Sequence, residues 1–253
     1  MNKIVFITGA TSGFGKECAK IFASHQYDVV ITGRRAEKLI ELKNEIESDF
    51  KVEVLTLCFD VQDRNIVFEK IQGMPERWKT IDVLINNAGL SLGRDSFDTA
   101  DLNDWDTMLQ TNVNGLLYVT RALLPHFISK NKGHIINVGS IAGKEVYENG
   151  NVYCASKFAV DALSKSMRVD LLKYGIKVTA IHPGAAETEF SMIRFKGDEE
   201  KAKAVYTGIK PLSAKDVAET IYYTASLPDH VCINELEITC TQQASTYYYH
   251  KKI

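Results

Sequence analysis

An α/β fold with a parallel sheet of about seven strands and helices on both faces is predicted from three observations. Short β-rich runs alternate with helical patterns from end to end, no Pro/Gly/Ser linker interrupts them, and parallel neighbours require crossover connections. Right-handed crossovers then distribute the helices to both sides of the sheet. In order, Lys3–Thr8 is an apolar strand and Gly13–Ser24 carries helical spacing through Phe14, Cys18, Ile21 and Phe22. Strand Asp28–Thr32, helix Ala36–Ser48, strand Val52–Leu57, helix Asp63–Gln72 and strand Val83–Asn86 follow. A long helical pattern runs from about Asn103 to Lys130, with Asn112 in register with Trp105, Met108, Leu109, Val113 and Leu116. Then come strand His134–Val138, a helix over about Val152–Tyr174 and strand Lys177–His182. After an irregular stretch from about Gly184 to Pro211, helix Ser213–Ala225 and strand Leu236–Thr239 end the pattern. With no repeat and no composition shift, residues 1–253 are expected to form one domain, the 184–211 loop serving the substrate.

Composition narrows the function classes. The chain is 45% hydrophobic and 25% charged, with 30 Lys+Arg against 32 Asp+Glu, a net charge of −2. No basic field exists for nucleic acid or anionic lipid, and the apolar runs are strand-sized, far short of a membrane span. Met1-Asn2-Lys3 leads directly into the first strand without the pattern of a signal peptide. Five scattered cysteines and six histidines show neither Cys-x-x-Cys nor His-Glu-x-x-His spacing, so no metal site is expected. Free, small, buried thiols fit a reducing cytoplasm. Cys154, beside Tyr153, is the cysteine that could bear on a site.

The first βα turn, Thr8-Gly9-Ala10-Thr11-Ser12-Gly13-Phe14-Gly15, has the context of a phosphate loop. Gly9 permits the tight turn, Gly13 lets backbone approach a pyrophosphate, and Gly15 allows helix to pack closely on strand. Thr11, Ser12 and Phe14 belong to the same cofactor loop, and the helix N-terminus offers free N–H groups to the anion. The second strand ends in Arg34-Arg35, where an NAD-preferring site would carry Asp or Glu. Two guanidinium groups suit a 2′-phosphate, so NADP(H) is the expected cofactor; the alternative is a solvated basic pair.

An ordered series now extends over the chain: the Thr8–Gly15 loop, Asp60-Val61, Asn86-Asn87-Ala88-Gly89, Asn112, Ser140, Tyr153-x-x-x-Lys157 and Pro183-Gly184. Tyr-x-x-x-Lys spacing also occurs at Tyr206/Lys210, Tyr247/Lys251 and Tyr248/Lys252, so context selects Tyr153, which follows Ser140 across a strand-to-helix loop. In this series the sequence resembles the short-chain dehydrogenase/reductase family, in its compact single-domain branch with a Rossmann-type doubly wound sheet.

The chemistry of these side chains is coherent in its own right. Moving a hydride between an alcohol carbon and a nicotinamide requires a proton on or off oxygen. Tyr153 and Lys157 lie one helical turn apart on one face, and an ammonium beside a phenol is expected to lower its pKa towards working pH. Ser140 can hold the substrate oxygen beside Tyr153. The resemblance implies further roles: Lys157 on the nicotinamide ribose, Asn112 in a water relay to Lys157, Asn87 beneath the cofactor ribose, and Asp60-Val61 at the adenine. It also implies Pro183-Gly184 and Thr188 at the carboxamide, although Ala185-Ala186-Glu187 makes the spacing to Thr188 longer than the family's usual one. Plainer alternatives are an amide tying backbone for Asn112, a solvated carboxylate for Asp60 and a polar turn for 86–89.

The run Thr188–Asp198, with Leu227–Asn234, is similar to the NADP-dependent 3-hydroxy acid (serine or allo-threonine) dehydrogenases of that family. The resemblance implies a small hydroxy acid or its semialdehyde as substrate, and Arg194 is the lid cation suited to the carboxylate. Arg194 could equally face solvent. Cys154, Glu145 or Tyr147 could shape the other wall. A broad carbonyl reductase without carboxylate preference is the alternative, and a non-catalytic NADP(H) sensor is disfavoured by the presence of Tyr153, Lys157, Ser140 and Asn112 together. Sugar-nucleotide epimerases need a larger substrate domain than 253 residues allow. Family members are usually homotetramers, and the tail Tyr247–Ile253 reads either as a subunit contact or as a frayed end.

Overall fold

Alternate residues of each central strand face opposite ways, and both sets are buried. In the computed structural model, which describes residues 2–251, Val5, Ile7, Val29, Ile31 and Ile85 join one core cluster, while Ile4, Phe6, Val30 and Leu84 join another. Met1, Lys252 and Ile253, the extreme ends of the amino-terminal lead and the tyrosine-rich tail, lie outside the described residues. A strand apolar on both faces belongs in the middle of a parallel sheet covered on both sides.

The chain order is β1 (Ile4–Ile7), α1 (Gly13–Ser24), β2 (Asp28–Gly33), α2 (Ala36–Asp49), β3 (Val54–Cys58), α3 (Arg64–Gln72) and β4 (Val83–Asn86). Next come α4 (Leu102–Leu109), a π turn (Gln110–Gly115), α5 (Leu116–Lys130), β5 (Gly133–Val138), α6 (Asn151–Leu171) and β6 (Ile176–Pro183). The last part holds β7 (Ala186–Glu187), α7 (Glu189–Arg194), α8 (Glu199–Ala204), β8 (Leu212–Ser213), α9 (Ala214–Ser226) and β9 (Glu235–Ile238). Seven strands form one parallel sheet in the order β3-β2-β1-β4-β5-β6-β9. Phe6 pairs with Val30 on one side and Leu84 on the other, so the strand order reverses at β1/β4. Ligands bind at such a switch point, outside the carboxyl ends of the strands.

Local chemistry explains the helix starts. Asp63 caps α3 by accepting from the backbone N–H groups of Asn65 and Ile66, and Ser213 and Asp216 form a reciprocal capping box on α9. Two expectations change. The stretch read as one helix from Asn103 to Lys130 contains the π turn, which resets the phase: Asn112 is buried, but Leu109, expected on the same apolar face, is 40% exposed. One added residue rotates everything beyond it by about 100°. The stretch 184–211 is also not irregular throughout. It carries α7, α8 and β7, which pairs with β8 through Ala186↔Leu212.

All five cysteines are free. Cys18, Cys154 and Cys240 are buried as expected, whereas Cys58 and Cys232 are exposed, at the end of β3 and in the loop before β9. Among the described residues, no helix is long and apolar enough to cross a membrane.

Candidate active site

A cavity of about 570 Å³ opens at the switch point, within the range of ligand pockets. Its floor is the glycine-rich turn. Gly9 and Gly13 have φ of +66° and +53°, the left-handed region that favours glycine. A Cβ on Gly9 would stand 2.9 Å from the Ala88 Cα, and one on Gly15 would stand 2.5 Å from the Gly9 carbonyl oxygen. The turn is clamped to the Asn86–Gly89 segment: the Asn87 side chain donates to the Thr8 and Gly9 carbonyls, and Thr8 Oγ1 accepts from the Asn87 and Ala88 N–H groups. Asn87 lines the cavity, yet its amide N–H donors are used on the loop itself. Ser12, at the N-cap of α1, makes no capping bond, and the first turn has no acid. Unpaired donors and a positive helix end therefore face the space lined by Thr11, Ser12, Gly13 and Phe14. These are the features a pyrophosphate requires.

Arg34 and Arg35 line the same cavity beside Asp60 and Val61. Arg34 stands 3.6 Å from the Asp60 carboxylate. Arg35 donates to Thr11 Oγ1 at 3.2 and 2.9 Å and pairs with Glu189 at 3.1 Å. Asp60 also accepts from the Gln62 N–H, so it both orders its own turn and steadies Arg34.

On the opposite side of the switch point, Ser140, Tyr153 and Lys157 line the cavity together. The end of β5 delivers Ser140, whose Oγ accepts from the Ala142 N–H and lies 3.4 Å from the Pro183 carbonyl. Successive turns of α6 deliver Tyr153 and Lys157, with the Lys157 Nζ 5.9 Å from the Tyr153 ring centroid. Lys157 donates to the Val138 carbonyl at 3.0 Å. Burial lowers its pKa from 10.5 to about 8.

The expectation that Lys157 would pull down the Tyr153 pKa does not hold. Burial raises the Tyr153 phenol above its ordinary value, and the opposing influences are the nearby Ser140 hydroxyl and the charge of Arg194. The lysine is itself desolvated and tied to a carbonyl, so the phenol stays protonated at neutral pH.

Asn112 is buried behind this group, in the π turn. Its Oδ1 accepts from the Leu90 N–H, and its Nδ2 donates to the Leu90 carbonyl and to Ser156 Oγ. A Cβ on Gly89 would lie 3.3 Å from Asn112 Oδ1 and 3.6 Å from Lys157 Nζ, so both side chains converge on Gly89. The amide thus ties backbone while standing beside the lysine.

Pro183, Gly184 and Thr188 line the cavity, and Thr188 caps α7 and faces Gly13 across 3.5 Å from its missing Cβ. Helix α7 brings Phe190 to 5.7 Å from the Tyr153 ring and Arg194 to 5.7 Å from the same ring. Arg194 donates to the Tyr147 hydroxyl at 2.6 Å, while its buried Nε has no hydrogen-bond partner. Arg194 therefore faces the site, not solvent.

Other walls differ from expectation. Glu145 turns away to hold Thr246, and Cys154 is buried with Leu90, Met108 and Ala142 outside the cavity lining. Tyr147 does form the wall. Sequence reasoning missed Arg94, Gln243 and Tyr249. The tail folds back through Gln242 to His250 and sets Tyr249 into the cavity, where its hydroxyl accepts from Gln243 Nε2. Gln243 Oε1 accepts from the Ala185 N–H, and a Cβ on Gly184 would collide with it. Tyr247 and Tyr248 remain exposed. A Tyr-rich end with no periodicity gave no signal for which ring turns inward.

Comparison with known proteins agrees with this geometry. Residues 3–199 match the short chain dehydrogenase family. The NADP-dependent 3-hydroxy acid dehydrogenase YdfG of Salmonella typhi is 45% identical over 95% of this chain and 96% of its own. Sulfoacetaldehyde reductase of Chromohalobacter salexigens is 46% identical over 96% of each. Among solved structures, the closed form of serine dehydrogenase complexed with NADP+ superposes with a TM-score of 0.92 at 41% identity, covering 99% of this chain and 100% of the other.

Proposed function

The chain belongs to the short-chain dehydrogenase family, and from that premise we propose that it is an NADP-dependent oxidoreductase interconverting the hydroxyl and carbonyl forms of a small 3-hydroxy acid. Serine, allo-threonine, 3-hydroxypropionate and the matching semialdehydes are the candidate substrates. The observation that carries the substrate class is Arg194: a half-buried guanidinium beside the Tyr153 ring, with one N–H unpaired. An anion in the cavity would pair with the guanidinium, and its carbon chain would bring the reacting oxygen to Ser140 and Tyr153.

NADP(H), when bound, supplies or takes up the hydride. Gly9, Thr11, Ser12, Gly13, Phe14 and Gly15 would receive its pyrophosphate, Arg34 and Arg35 its 2′-phosphate, and Asp60, Val61 and Asn87 its adenosine half. Pro183, Gly184, Thr188 and Lys157 would hold the nicotinamide half. The remaining work belongs to the chain. Ser140 holds the substrate oxygen, and Tyr153, kept protonated by burial, gives its proton to that oxygen in the reductive direction. Lys157 supplies positive charge to the phenolate left behind, and Asn112 holds the Leu90 segment against α6 beside it.

The same guanidinium accepts a sulfonate, and the identity to a sulfoacetaldehyde reductase favours keeping sulfonate aldehydes as a second reading. The test follows NADPH absorbance with hydroxy acids, semialdehydes, sulfoacetaldehyde and neutral ketones. Faster turnover of neutral ketones than of every anion would reduce the reading to a broad carbonyl reductase. We further propose one catalytic domain over residues 1–253, a cytoplasmic location and a homotetramer built on α5 and α6 and on α9 and β9, with Val169 of α6 and Leu172, just beyond its end, exposed. A monomer in light scattering would refute the assembly.

A further inference from the structure

Behind Ser140 lies a polar cluster of which no member lines the cavity: His182 on β6, Asp161 and Lys165 on α6, Lys144 after the Ser140 turn, and Glu235 on β9. Oxygen and nitrogen atoms of Asp161, His182 and Glu235 approach closely enough to ligate a cation. The cluster supplies its own cations instead. Lys144 bridges Asp161 and Glu235 at 2.7 Å each, and Lys165 pairs with Asp161 at 2.9 Å.

His182 is the member without an obvious use. Its ring is wholly buried, Nδ1 lies 3.2 Å from the Ser140 carbonyl oxygen, and Nε2 has no hydrogen-bond partner. The nearest claim on Nε2 is Asp161 Oδ1 at 3.6 Å, beyond hydrogen-bond reach. Burial first, then the charge of Lys144, holds the imidazole below its ordinary pKa, against the weaker pull of the Ser140 carbonyl, Asp161 and Glu235. At neutral pH the ring therefore has one proton to place. On Nε2, that proton would leave the bare Nδ1 lone pair facing a carbonyl oxygen. On Nδ1, it makes the bond.

The Ser140 carbonyl already accepts from the Gly143 N–H at 2.8 Å, so the ring adds a second bond, and the backbone shows what that bond continues. The β5–β6 pairing ends at Val138↔Ile181, followed by one further bond from the Gly139 N–H to the Ile181 carbonyl. Pro183, next but one on β6, has no N–H with which to extend the ladder. The ring of His182 continues the stitching by other means. Gly139 leaves room for it, since a Cβ there would stand 2.6 Å from Nδ1.

We propose that His182 is a positioning residue: its Nδ1–H, donated to the Ser140 carbonyl, fixes the Ser140 side chain in place beside Tyr153. This rests on the reading of Ser140 as the group that holds the substrate oxygen. Two substitutions separate the ring nitrogens, because the asparagine amide overlays Nδ1 and the glutamine amide overlays Nε2. His182→Asn should keep kcat within about threefold, whereas His182→Gln should lose roughly 10- to 100-fold, as small misplacements of a reacting group do. NADPH affinity, measured by fluorescence, should stay within about twofold in both, because the His182 side chain lines no part of the cavity and Pro183 and Gly184 are unchanged. In the unmodified protein without cofactor, 15N NMR should find the ring neutral and protonated on Nδ1, a readout that survives if a variant does not fold. Equal kcat in the two variants, or a proton on Nε2, would overturn the proposal. Failure of the underlying reading looks different: no turnover by the unmodified protein, with the proton still on Nδ1, which overturns the positioning role together with the function.

Discussion

Arg35 and Glu189 are joined by a 3.1 Å ion pair that ties the end of β2 to the first turn of α7. The pair links the expected 2′-phosphate site to the helix that carries Arg194. A 2′-phosphate would compete with Glu189 for the same guanidinium. Exposed pairs of this kind are worth roughly 0.2–1 kcal/mol, so Glu189→Gln should tighten NADPH up to about fivefold and leave NADH unchanged. Arg34→Ala should act oppositely, weakening NADPH by about tenfold or more through loss of a charge-assisted contact. Equilibrium titration of both cofactors checks the pair; equal changes for NADPH and NADH would mean that neither residue reads the phosphate.

Tyr153→Phe retains the ring against Phe190 and removes only the hydroxyl. Turnover should fall by ~10²–10⁴-fold, the usual contribution of general acid–base catalysis, while NADPH binding persists. Near-normal rates would transfer the proton to another group.

Lys157 gives a stability signature independent of activity. Its folded pKa of about 8 lies below the ordinary 10.5, so the unfolded chain binds the proton more tightly. Below pH 8 both states are protonated and the folded protein bears the whole penalty, about 3 kcal/mol. As pH rises from 8 to 10.5 the folded state has released its proton and the penalty fades. Lys157→Met removes the titration. Its stability advantage over the unmodified apoprotein should be greatest below pH 8 and shrink by ~1.4 kcal/mol per unit up to pH 10.5. A gap that stays constant in denaturant melts across this range would show that the ammonium is not desolvated as described.

Arg194→Ala should raise KM for carboxylate or sulfonate substrates by about 100-fold or more, since it leaves an anion unpaired in a closed site. A neutral aldehyde of similar size should be affected only severalfold, through the lost contacts to Tyr147 and Tyr153. Equal losses on both would make Arg194 a lid support only.

The sheet was legible because its code is local. Runs such as Ile4–Ile7 and Val83–Asn86, and the glycines before α1, state their conformation within a few residues. Ser140, Tyr153 and Lys157 could be placed for the same reason, since strand ends and helical spacing decide where they point. What escaped was either too short for periodicity or fixed by distant partners. Helices α7 and α8 have six residues each, less than two turns. The inward turn of Tyr249 depends on Gln243, and the outward turn of Glu145 on Thr246. The state of Tyr153 was misjudged because burial, which no spacing reveals, outweighs the neighbouring cation.

The π turn makes the site sensitive to chain length. A single-codon deletion between Gln110 and Gly115 would let α4 and α5 merge into one regular helix, at little cost to the helix itself. Because the π turn absorbs one residue without advancing the helix, α5 would keep its phase on α4, and only the side chains of the turn itself would be displaced. Leu116 and Val119 could keep their buried contacts, whereas Asn112, inside the turn, would lose its bonds to Leu90 and Ser156. In this segment, then, tolerance of the fold and tolerance of the site are separate properties: the helix survives the loss of a residue, whereas Asn112 does not keep its partners.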